Sequence, residues 1–573
     1  MTHCRPCQNG DGLPVDSELQ CQEIHADSLC VACTDIAIID MQIAETQDKL
    51  RELQIQRQRL LPLGNRSHDI LTSNLPVEIC TKIFLESLPD IEELDSKSHP
   101  RLLTAPLVLS WVCSRWRDIA HGSPNLWAQL ALSLQAKSAV DNVLTLVAEW
   151  LERGGNTQPL YITLSIDPLI ADGHRQSKGE DTNSVDAILN LLAQQSHRFV
   201  FFSIAAPAYH MKHLSFQPHR AANLQSLHLI GLTVKGTRES VWLCDPRPRP
   251  TSLTLRNLRW NQLLQSSTSH APDSISTPGI LIDLSVLNTL TVALIELEDC
   301  IELFKLAPAV KTCTVSWLGE FNSAGAFEYY RIRRLPNIPP PTVYEALEEL
   351  TFLDLTTEHC QFILNAFDFP SLRRFTSKEN NRRYGQTYGT IHSLTNHIRR
   401  AGVELISLHL DNLRCHGNVK SLVEDLMTVA GPTLNNLILE HINTMYDNPL
   451  RVIQGIFGDL SHLPELRSIR VYSPASEWMH SFRELVTSAH KLAIHNRQPL
   501  SVALSTTPDF YSNGSFKDAL DRDEVLDMLS TMSGDLVTIR LLQGRMTEGP
   551  WRPDQDVTAD IMNALNRTVG NQM

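Results

Sequence analysis

The hexapeptide LHLDNL at residues 408–413 indicates how most of the chain folds. The leucines at its first and third positions alternate with polar residues, as in a strand that buries one face, and a third leucine follows at its sixth position. The same spacing, L-x-L-x-x-L, occurs as LHLIGL from Leu227 and LTLRNL from Leu253, with LILEHI from Leu437 as a close variant. The sequence therefore predicts one short strand at each of these places.

A relaxed form of the pattern, apolar-x-x-apolar-x-apolar, adds frames that begin at Leu287, Leu347, Leu466 and Leu536. The spacing of the frames is irregular but centred near the roughly 20 to 29 residues of leucine-rich repeats, with insertions. The pattern resembles that repeat family, whose asparagine-containing consensus is only partly present, at Asn257 and Asn412. The resemblance implies a continuous parallel sheet with helices on its convex side. The alternative is a non-repetitive α/β domain in which leucines fall at strand positions by chance.

Segments on either side of these frames alternate between helix and strand patterns. VDNVLTLVAEWLERGG at 140–155 predicts a helix that Gly154 and Gly155 end, and QPLYITLSI at 158–166 predicts a strand. SVDAILNLLAQQSHRFVFFSI at 184–204 predicts a helix followed by a strand, and QPLSVALS at 498–505 echoes the strand at 158–166. We therefore expect similar units to flank the repeat array.

Nearer the amino terminus, residues 36–61 show the heptad pattern of a coiled-coil helix. Its seam has two polar members, Thr46 and Arg57, and six apolar members: Ile36, Ile39, Ile43, Leu50, Leu53 and Leu60. So short a seam either self-associates weakly or lies against its own chain, and we favour the second. Pro62 and Gly64 are expected to end the helix, because proline lacks a backbone donor and glycine favours non-helical dihedrals.

The segment ILTSNLPVEICTKIFLESLPD at 70–90 predicts an amphipathic helix of about three turns. We expect it to begin at Leu75 or Pro76, since proline is tolerated in a first helical turn. Glu78 lies in that turn, where its charge complements the helix dipole.

A second helix is predicted in RLLTAPLVLSWVCSRWRDIAHGSPNLWAQL at 101–130, from helically spaced apolar residues between Leu109 and Ala120. Gly122 and Pro124 are expected to end it. A third short helical piece then begins at Leu126-Trp127, whose large indole requires a buried site.

These residues resemble the F-box motif, in the form that follows a short coiled helix in fungal proteins. The matching features are Leu75-Pro76-x-Glu78-Ile79, Ile83-Phe84, Val112-Cys113-x-x-Trp116 and Leu126-Trp127. Two features depart from the pattern: Cys80 stands where a larger aliphatic residue is common, and an insert at Asp90–Pro100 lengthens the connection between the first two helices.

In that family, three helices dock onto a small Skp-family adaptor, which links them to a cullin scaffold and a ubiquitin-conjugating enzyme. The resemblance implies a substrate receptor. It places the adaptor face and its supporting core at Leu75, Pro76, Ile79, Ile83, Phe84, Pro106, Leu107, Val112, Cys113, Trp116 and Trp127. The alternative is that these residues form only a local helical core.

Five cysteines lie within the first 33 residues, and four of them form the pairs Cys4-x-x-Cys7 and Cys30-x-x-Cys33. Four thiolates suit structural zinc, with His3 or His25 as substitute ligands. The interval between the pairs is longer than in a usual zinc ribbon, however, and few aromatic residues lie nearby. We therefore expect a tail without a metal site and assign the chain no cofactor.

Composition narrows the class of protein. The formal net charge is −14 and the pI is about 5.9, so no basic field is available to collect nucleic acid or anionic lipid. No apolar run is long enough to span a membrane, and the start lacks the layout of a secretory signal. We expect a cytoplasmic or nuclear protein that binds neither nucleic acid nor membranes.

Catalytic motifs are absent from the sequence. It contains no phosphate-binding loop with its lysine, no HExxH and no G-x-S-x-G, so we expect no enzymatic activity and assign no catalytic residue.

The main hypothesis is an F-box substrate receptor of an SCF-type cullin ubiquitin ligase with an unknown protein substrate. One alternative is a non-catalytic interaction scaffold that acts outside ubiquitin ligation or assembles through its heptad helix. Another is a zinc-dependent regulator.

The expected fold class is mixed α and α/β, with an amino-terminal helix and a three-helix F-box before an irregular leucine-rich-repeat-like α/β solenoid. The expected parts are a cysteine-containing tail at 1–35, a heptad helix at 36–61, an F-box at 70–130, a repeat-like domain at 140–545 and a tail at 546–573.

Overall fold

The computed structural model describes most of the chain, with gaps. The described residues are 31–68, 74–88, 105–134, 140–166, 182–207, 222–232, 249–258, 282–321, 327–329, 341–378, 387–411, 419–440, 449–472, 475–506, 537–543 and 555–556. They fall into two compact units, which divide between Trp127 and Ala128. The paired cysteines predicted as possible zinc ligands lie outside the described side chains, as does the insert at 90–100.

The helices are α1 Val31–His68, α2 Val77–Glu86, α3 Ala105–Val112, α4 Ser114–His121, α5 Val140–Arg153, α6 Thr182–Gln194, α7 Leu297–Leu306, α8 Thr357–Ala366, α9 Thr387–Ala401, α10 Val419–Ala430, α11 Pro449–Phe457 and α12 Ala475–Asn496. A 3₁₀ helix at Pro124–Trp127 completes the first unit.

The strands are β1 Gln129–Leu134, β2 Leu160–Ile166, β3 Phe199–Ala206, β4 Ser226–Gly231, β5 Ser252–Arg256, β6 Thr289–Ala293, β7 Thr312–Ser316, β8 Gly319–Phe321, β9 Phe327–Tyr329, β10 Thr342–Val343, β11 Glu349–Leu353, β12 Phe367–Asp368, β13 Arg374–Lys378, β14 Ser407–Asp411, β15 Asn436–Glu440, β16 Ser468–Tyr472, β17 Leu500–Thr506, β18 Val537–Gln543 and β19 Gln555–Asp556.

The second unit is built on one large sheet whose neighbouring strands follow the order of the chain. Fourteen strands, β1–β7, β11 and β13–β18, run parallel, and β19 pairs antiparallel with β18 at the end. Two small two-stranded sheets, β8 with β9 and β10 with β12, lie outside this order. Along the chain, each of the helices α5 to α12 follows one strand of the large sheet and precedes the next, because parallel neighbours require a crossover connection. The predicted continuous parallel sheet is therefore confirmed, as is the mixed α/β class.

Leucine alternation explains why these strands form. In β4, β5, β14 and β15, the leucines at the first and third positions of each hexapeptide are buried, and the residue between them is half-buried. One side chain in two therefore enters the core between the sheet and the buried sides of the helices. The strands and helices predicted at 140–155, 158–166, 184–204 and 498–505 are confirmed as α5, β2, α6 with β3, and β17.

The same backbone hydrogen bonds recur at the start of successive strands. The Thr251 carbonyl, for example, accepts from Asn288 N at 2.8 Å and from Thr289 N at 3.0 Å. Each acceptor is the residue directly before one strand. Its carbonyl accepts hydrogen bonds from two backbone N–H groups of the next strand: that of the first strand residue and that of the residue before it. The acceptors are Gln225, Thr251, Asn288, Lys311, Glu348, Arg373, Ile406 and Asn435.

A second backbone hydrogen-bond pattern recurs where strands end. The residues that follow β5, β6, β7 and β11 have positive φ: Asn257 (55°), Leu294 (57°), Trp317 (54°) and Asp354 (54°). The backbone N–H of each donates to the last residue of the next strand, at 2.7 to 3.2 Å. A left-handed residue that turns the chain away from one strand thus also extends the pairing with the following strand.

Helix α1 differs from the prediction in three respects. It begins at Val31, inside the predicted tail, and it continues through Pro62 and Gly64 to His68. The prediction that these two residues end the helix was wrong, because proline's fixed φ is compatible with helical backbone and its missing donor removes one hydrogen bond. The prediction that the seam lies against its own chain was also wrong, since its apolar side chains are exposed.

The second predicted helix is also different, because it is two helices. The apolar pattern from Leu109 to Ala120 continues across Cys113, but Cys113 has an extended conformation (φ −156°, ψ 173°) and separates α3 from α4. Its sulfur accepts a hydrogen bond from Trp116 N at 3.4 Å and so caps α4. Helical spacing alone does not reveal such a break, because both helices keep the same apolar positions.

The predicted domain boundaries shift slightly. The large sheet begins at Gln129, within the predicted F-box range and before residue 140, and β19 lies beyond residue 545. No helix among the described residues is long and apolar enough to cross a membrane.

Candidate functional site

Helix α2 carries an exposed apolar face. Ile79 and Ile83 lie one turn apart and are 45% and 38% exposed, although both are large aliphatic residues. With Lys82, Glu86 and Ser87 they line a shallow open groove of about 370 Å³. We call Ile79 and Ile83 the α2 patch.

Helix α3 carries a second exposed apolar face. Val108 and Trp111 lie three residues apart and are 49% and 70% exposed. Pro106 and Ser110, on another side of the same helix, are buried. We call Val108 and Trp111 the α3 patch. An exposed tryptophan beside an exposed valine is typical of a surface that binds a partner.

A well-packed core supports these patches. Phe84 is 1% exposed and its ring centroid lies 4.8 Å from that of Trp116. Trp127 is fully buried, and its Nε1–H donates to the Ala120 carbonyl at 2.8 Å. The predicted burial of this indole is therefore confirmed.

Polar side chains fix how the helices meet. The Thr81 and Ser123 hydroxyls lie 3.1 Å apart, and the Ser123 hydroxyl also donates to the Ile119 carbonyl at 2.7 Å. Arg117 Nε donates to the Ser110 carbonyl at 2.9 Å, across the break at Cys113. These bonds hold α2, α3 and α4 in one arrangement, so the exposed side chains are positioned before any partner binds.

The eleven sequence-predicted site residues divide by burial. Buried members are Phe84, Pro106, Cys113 and Trp127; half-buried members are Leu75, Leu107, Val112 and Trp116; exposed members are Pro76, Ile79 and Ile83. The exposed members are available to a partner, and the buried ones form the support beneath them. Cys80, the departure from the F-box pattern, is fully buried and belongs to the core.

Sequence reasoning missed the α3 patch. Val108 and Trp111 lie in APLVLSWV, which is apolar on almost every side, so no amphipathic stripe distinguishes its core face from its surface. The signal that could have revealed the patch is the number of apolar residues in this short helix. A helix that is apolar all round requires burial on more than one side.

The second unit has a polar surface on the half-buried side of its large sheet. Five threonines stand in register on five neighbouring strands: Thr254, Thr291, Thr314, Thr351 and Thr376. His228 precedes this threonine row on β4, and His409 follows it on β14. The row offers hydroxyl donors and acceptors at the interstrand spacing of about 4.8 Å.

Charged groups lie at one end of that row. Glu440, on β15, has a carboxylate oxygen 3.1 Å from His409 Nε2 and 3.8 Å from Lys378 Nζ. The Glu440 side chain is 17% exposed, so this pairing is only partly screened by solvent. Such a mixed surface of hydroxyls and charges suits recognition of a polar partner surface.

Two buried histidines lie within helices of the second unit rather than on its polar surface. Burial lowers the pKa of His359 and of His397 to about 4. His397 Nδ1 lies 3.1 Å from the Leu364 carbonyl, which also accepts from Arg400 at 2.6 Å. These contacts tie α9 to the end of α8, so the neutral imidazole is a structural element.

Within the described residues, no three histidine, cysteine or acidic side chains lie together as metal ligands would. Comparison with protein-family models and with curated proteins finds no match.

Proposed function

We propose that the chain is the substrate-receptor subunit of an SCF-type cullin ubiquitin ligase. In this proposal α2, α3, α4 and the 3₁₀ helix form an F-box that binds a Skp-family adaptor. The observation that carries it is the exposure of Ile79, Ile83, Val108 and Trp111 above a packed core. Exposed apolar side chains of this size are unfavourable in water, and covering them with a partner releases free energy.

The division between core and surface suits adaptor binding. Interfaces depend on a few large apolar or aromatic anchors held rigidly, and truncation of such an anchor costs about 2 to 4 kcal/mol. Trp111 and Ile83 are the anchors in this proposal. Phe84 and Trp127 act indirectly, because they hold α2 and α4 in place.

The second unit is proposed to be a leucine-rich-repeat-like solenoid that binds the substrate. Its support is the strand order, the hexapeptides and the backbone hydrogen bonds that recur from strand to strand. The threonine row and the charged group at Glu440 provide the polar chemistry of the binding surface. The substrate is a protein, and its lysine is modified by an enzyme that the adaptor and cullin bring near.

Catalysis in this assembly is by proximity. A receptor raises the effective concentration of a substrate lysine near the transferring enzyme and requires no reactive group of its own. The proposed receptor therefore contributes binding energy and orientation only.

The test is co-expression of the full chain with a Skp-family adaptor, followed by purification through a tag on the chain. Two surface variants, Ile83→Asp and Trp111→Ala, are compared with the parent. The control is Val343→Asp, which places the same charge at a 59% exposed aliphatic residue of the second unit. We expect the parent and the control to retain the adaptor, and both surface variants to lose at least tenfold in affinity.

Thermal unfolding of each variant separates lost binding from lost folding. An unchanged unfolding midpoint in the surface variants assigns the effect to the interface. A folded parent that does not retain the adaptor overturns the proposal. If the parent binds the adaptor but does not recruit a cullin, the chain is an interaction scaffold outside ubiquitin ligation.

A further inference from the structure

Helix α1 exposes its whole heptad seam. The exposed fractions are 45% for Ile36, 54% for Ile39, 49% for Ile43, 55% for Leu50, 55% for Leu53 and 64% for Leu60. None of the residues from 34 to 61 is buried. Within the described part of the chain, these side chains therefore gain little from packing against other elements.

A helix in this situation lacks its usual source of stability. At about 1.5 Å per residue, the 38 residues of α1 extend roughly 57 Å. Isolated helices gain little from propensity alone, and most helical stability in proteins comes from packing of an apolar face. A seam that repeats every seven residues fits a second helix better than a globular surface.

The seam is self-complementary when one copy is reversed. The seam consists of two heptad rows. The first row contains Ile36, Ile43, Leu50 and Arg57, and the second contains Ile39, Thr46, Leu53 and Leu60. In an antiparallel pair centred on Asp48, every member of the first row comes level with a member of the second. The four pairings, each of which occurs twice, are Ile36 with Leu60, Ile39 with Arg57, Ile43 with Leu53 and Thr46 with Leu50.

Charge favours the same orientation. Residues 34–47 carry three acidic side chains and no basic one, whereas residues 48–61 carry four basic and two acidic ones. Antiparallel pairing places the acidic half of each helix against the basic half of the other. It also brings Arg57 beside Asp40 of the second copy.

Parallel pairing is unfavourable for the same charges. It sets Arg57 opposite Arg57 in the seam and brings Asp35 next to Asp40 at the flanking positions, so both contacts join like charges. The one other polar seam pair that it allows is Thr46 with Thr46, a neutral contact that is weaker than contacts between charged groups.

We propose that two copies of the chain associate through α1 as an antiparallel two-helix coiled coil. The occupant of the exposed seam is thus a second copy of this chain. The inference is independent of the proposed function, because it uses no residue of the α2 or α3 patch.

Sedimentation equilibrium of the full chain tests the stoichiometry. The parent is expected to dimerise with a Kd between about 1 and 100 μM, since the seam is short and has two polar members. Leu50→Glu with Leu53→Glu is expected to weaken association at least tenfold, because it buries four charges at the centre of the pair. The control is Ile55→Glu, which places the same charge at a 44% exposed residue outside the seam.

Weakened association of the double seam variant supports the proposal when the control variant dimerises like the parent. A parent that remains a monomer throughout this concentration range overturns it, as does a double seam variant that still dimerises like the parent.

Charge reversal tests the orientation. In the antiparallel pair, Asp40→Arg places two cations together and is expected to weaken dimerisation several-fold, and Asp40→Arg with Arg57→Asp is expected to restore it. In a parallel pair, Asp40→Arg would meet Asp35 and strengthen dimerisation. Stronger association of the Asp40→Arg variant therefore overturns the antiparallel arrangement, while the sedimentation of the seam variants still reports whether α1 pairs at all.

Discussion

Gly231 and Asn257 meet at the ends of two neighbouring strands, and each residue requires the other. A Cβ on Gly231 would overlap the Asn257 carbonyl oxygen. The Asn257 side chain donates from Nδ2 to the Gly231 carbonyl at 2.5 Å, and its backbone has a φ of 55°. The close approach of β4 to the turn after β5 therefore depends on a glycine at one position and on a residue that tolerates left-handed backbone at the other.

Gly231→Ala is expected to destabilise the second unit. The added methyl group meets backbone, which cannot move aside as a flexible side chain would, and overpacking of this kind costs about 1 to 3 kcal/mol. Urea unfolding followed by tryptophan fluorescence measures the loss. Gly64→Ala is the control, because a Cβ added there would meet nothing within 4 Å beyond the backbone of α1 itself. Equal stability of the Gly231→Ala variant and the parent would contradict this reading of the contact.

The carboxyl end of α12 offers a stabilising substitution. Arg497 N donates to the Ile494 carbonyl and Gln498 N to the Ala493 carbonyl, both at 3.3 Å, which is a Schellman motif. Arg497 has a φ of 54°, whereas the corresponding residue after α9 is Gly402, with a φ of 65°. Arg497→Gly should therefore stabilise the fold by about 1 kcal/mol, since glycine adopts this conformation without a steric cost.

Arg497→Ala separates the backbone effect from loss of the arginine side chain. The alanine variant keeps a Cβ in the left-handed conformation, so its thermal unfolding midpoint is expected not to rise above that of the parent. Stabilisation of equal size in the alanine and glycine variants would locate the effect in the side chain instead.

Two tryptophans in the first unit predict opposite responses to loss of the indole N–H. Trp127 donates to the Ala120 carbonyl, whereas Trp116 Nε1 is buried and has no hydrogen-bond partner in the described part of the chain. Trp127→Phe is expected to cost about 0.5 to 1.5 kcal/mol beyond the lost packing, because the Ala120 carbonyl loses this bond and keeps only the longer one from Ser123 N at 3.3 Å. Trp116→Phe loses packing only and removes an unsatisfied donor.

Chemical unfolding of the two phenylalanine variants under identical conditions measures the difference. Helicity by circular dichroism confirms that each variant is folded at the start. A larger loss for Trp116→Phe than for Trp127→Phe would mean that packing, not hydrogen bonding, distinguishes the two sites.

The buried histidines predict a loss of stability in acid. The folded-state pKa of His397 is about 4, lowered chiefly by burial, while an unfolded histidine titrates near 6.5. Between these values the unfolded chain binds more protons, so the contribution is fully present above about pH 6.5 and is lost as the pH falls toward 4. His359 has the same shift from the same cause and adds to the effect.

Urea unfolding between pH 7 and pH 5 measures this dependence. For His397 alone the loss at pH 5 is on the order of 2 kcal/mol, from about 1.4 kcal/mol per pH unit below 6.5. His397→Gln keeps a polar side chain of similar size without a titratable group, so its stability should fall less steeply over the same range. A variant with the slope of the parent would exclude His397 as a source of the acid sensitivity.

Much of the second unit was predictable from leucine spacing alone. The hexapeptides at Leu227, Leu253, Leu408 and Leu437 begin within β4, β5, β14 and β15, because alternation with period two decides which side chains are buried. The left-handed residues Leu294 and Trp317 were not predictable, since neither leucine nor tryptophan favours positive φ. Tertiary pairing of their N–H groups with the next strand overrides the local preference.

The first unit was predictable in its core more than in its surface. The buried site of the Trp127 indole was predictable from its size. Helical spacing did not separate Phe84, which is buried, from Ile79 and Ile83 on the same helix, which are exposed. The separation of α3 from α4 at Cys113 and the exposure of Trp111 depend on how neighbouring helices pack. Pro62 is a further example. Its low helix propensity predicted that α1 ends there, but the helix continues to His68.

The strand order of the large sheet has a consequence for how this unit loses structure. Each of its parallel strands pairs only with the strands that come before and after it in this order, so its stability is close to a sum of terms between nearest neighbours. Unfolding is then expected to proceed inward from the ends, with β1 and β18 released before the central strands. A change of length in one connection alters a single pair of neighbours and leaves the remaining register intact, which makes the array tolerant of insertion.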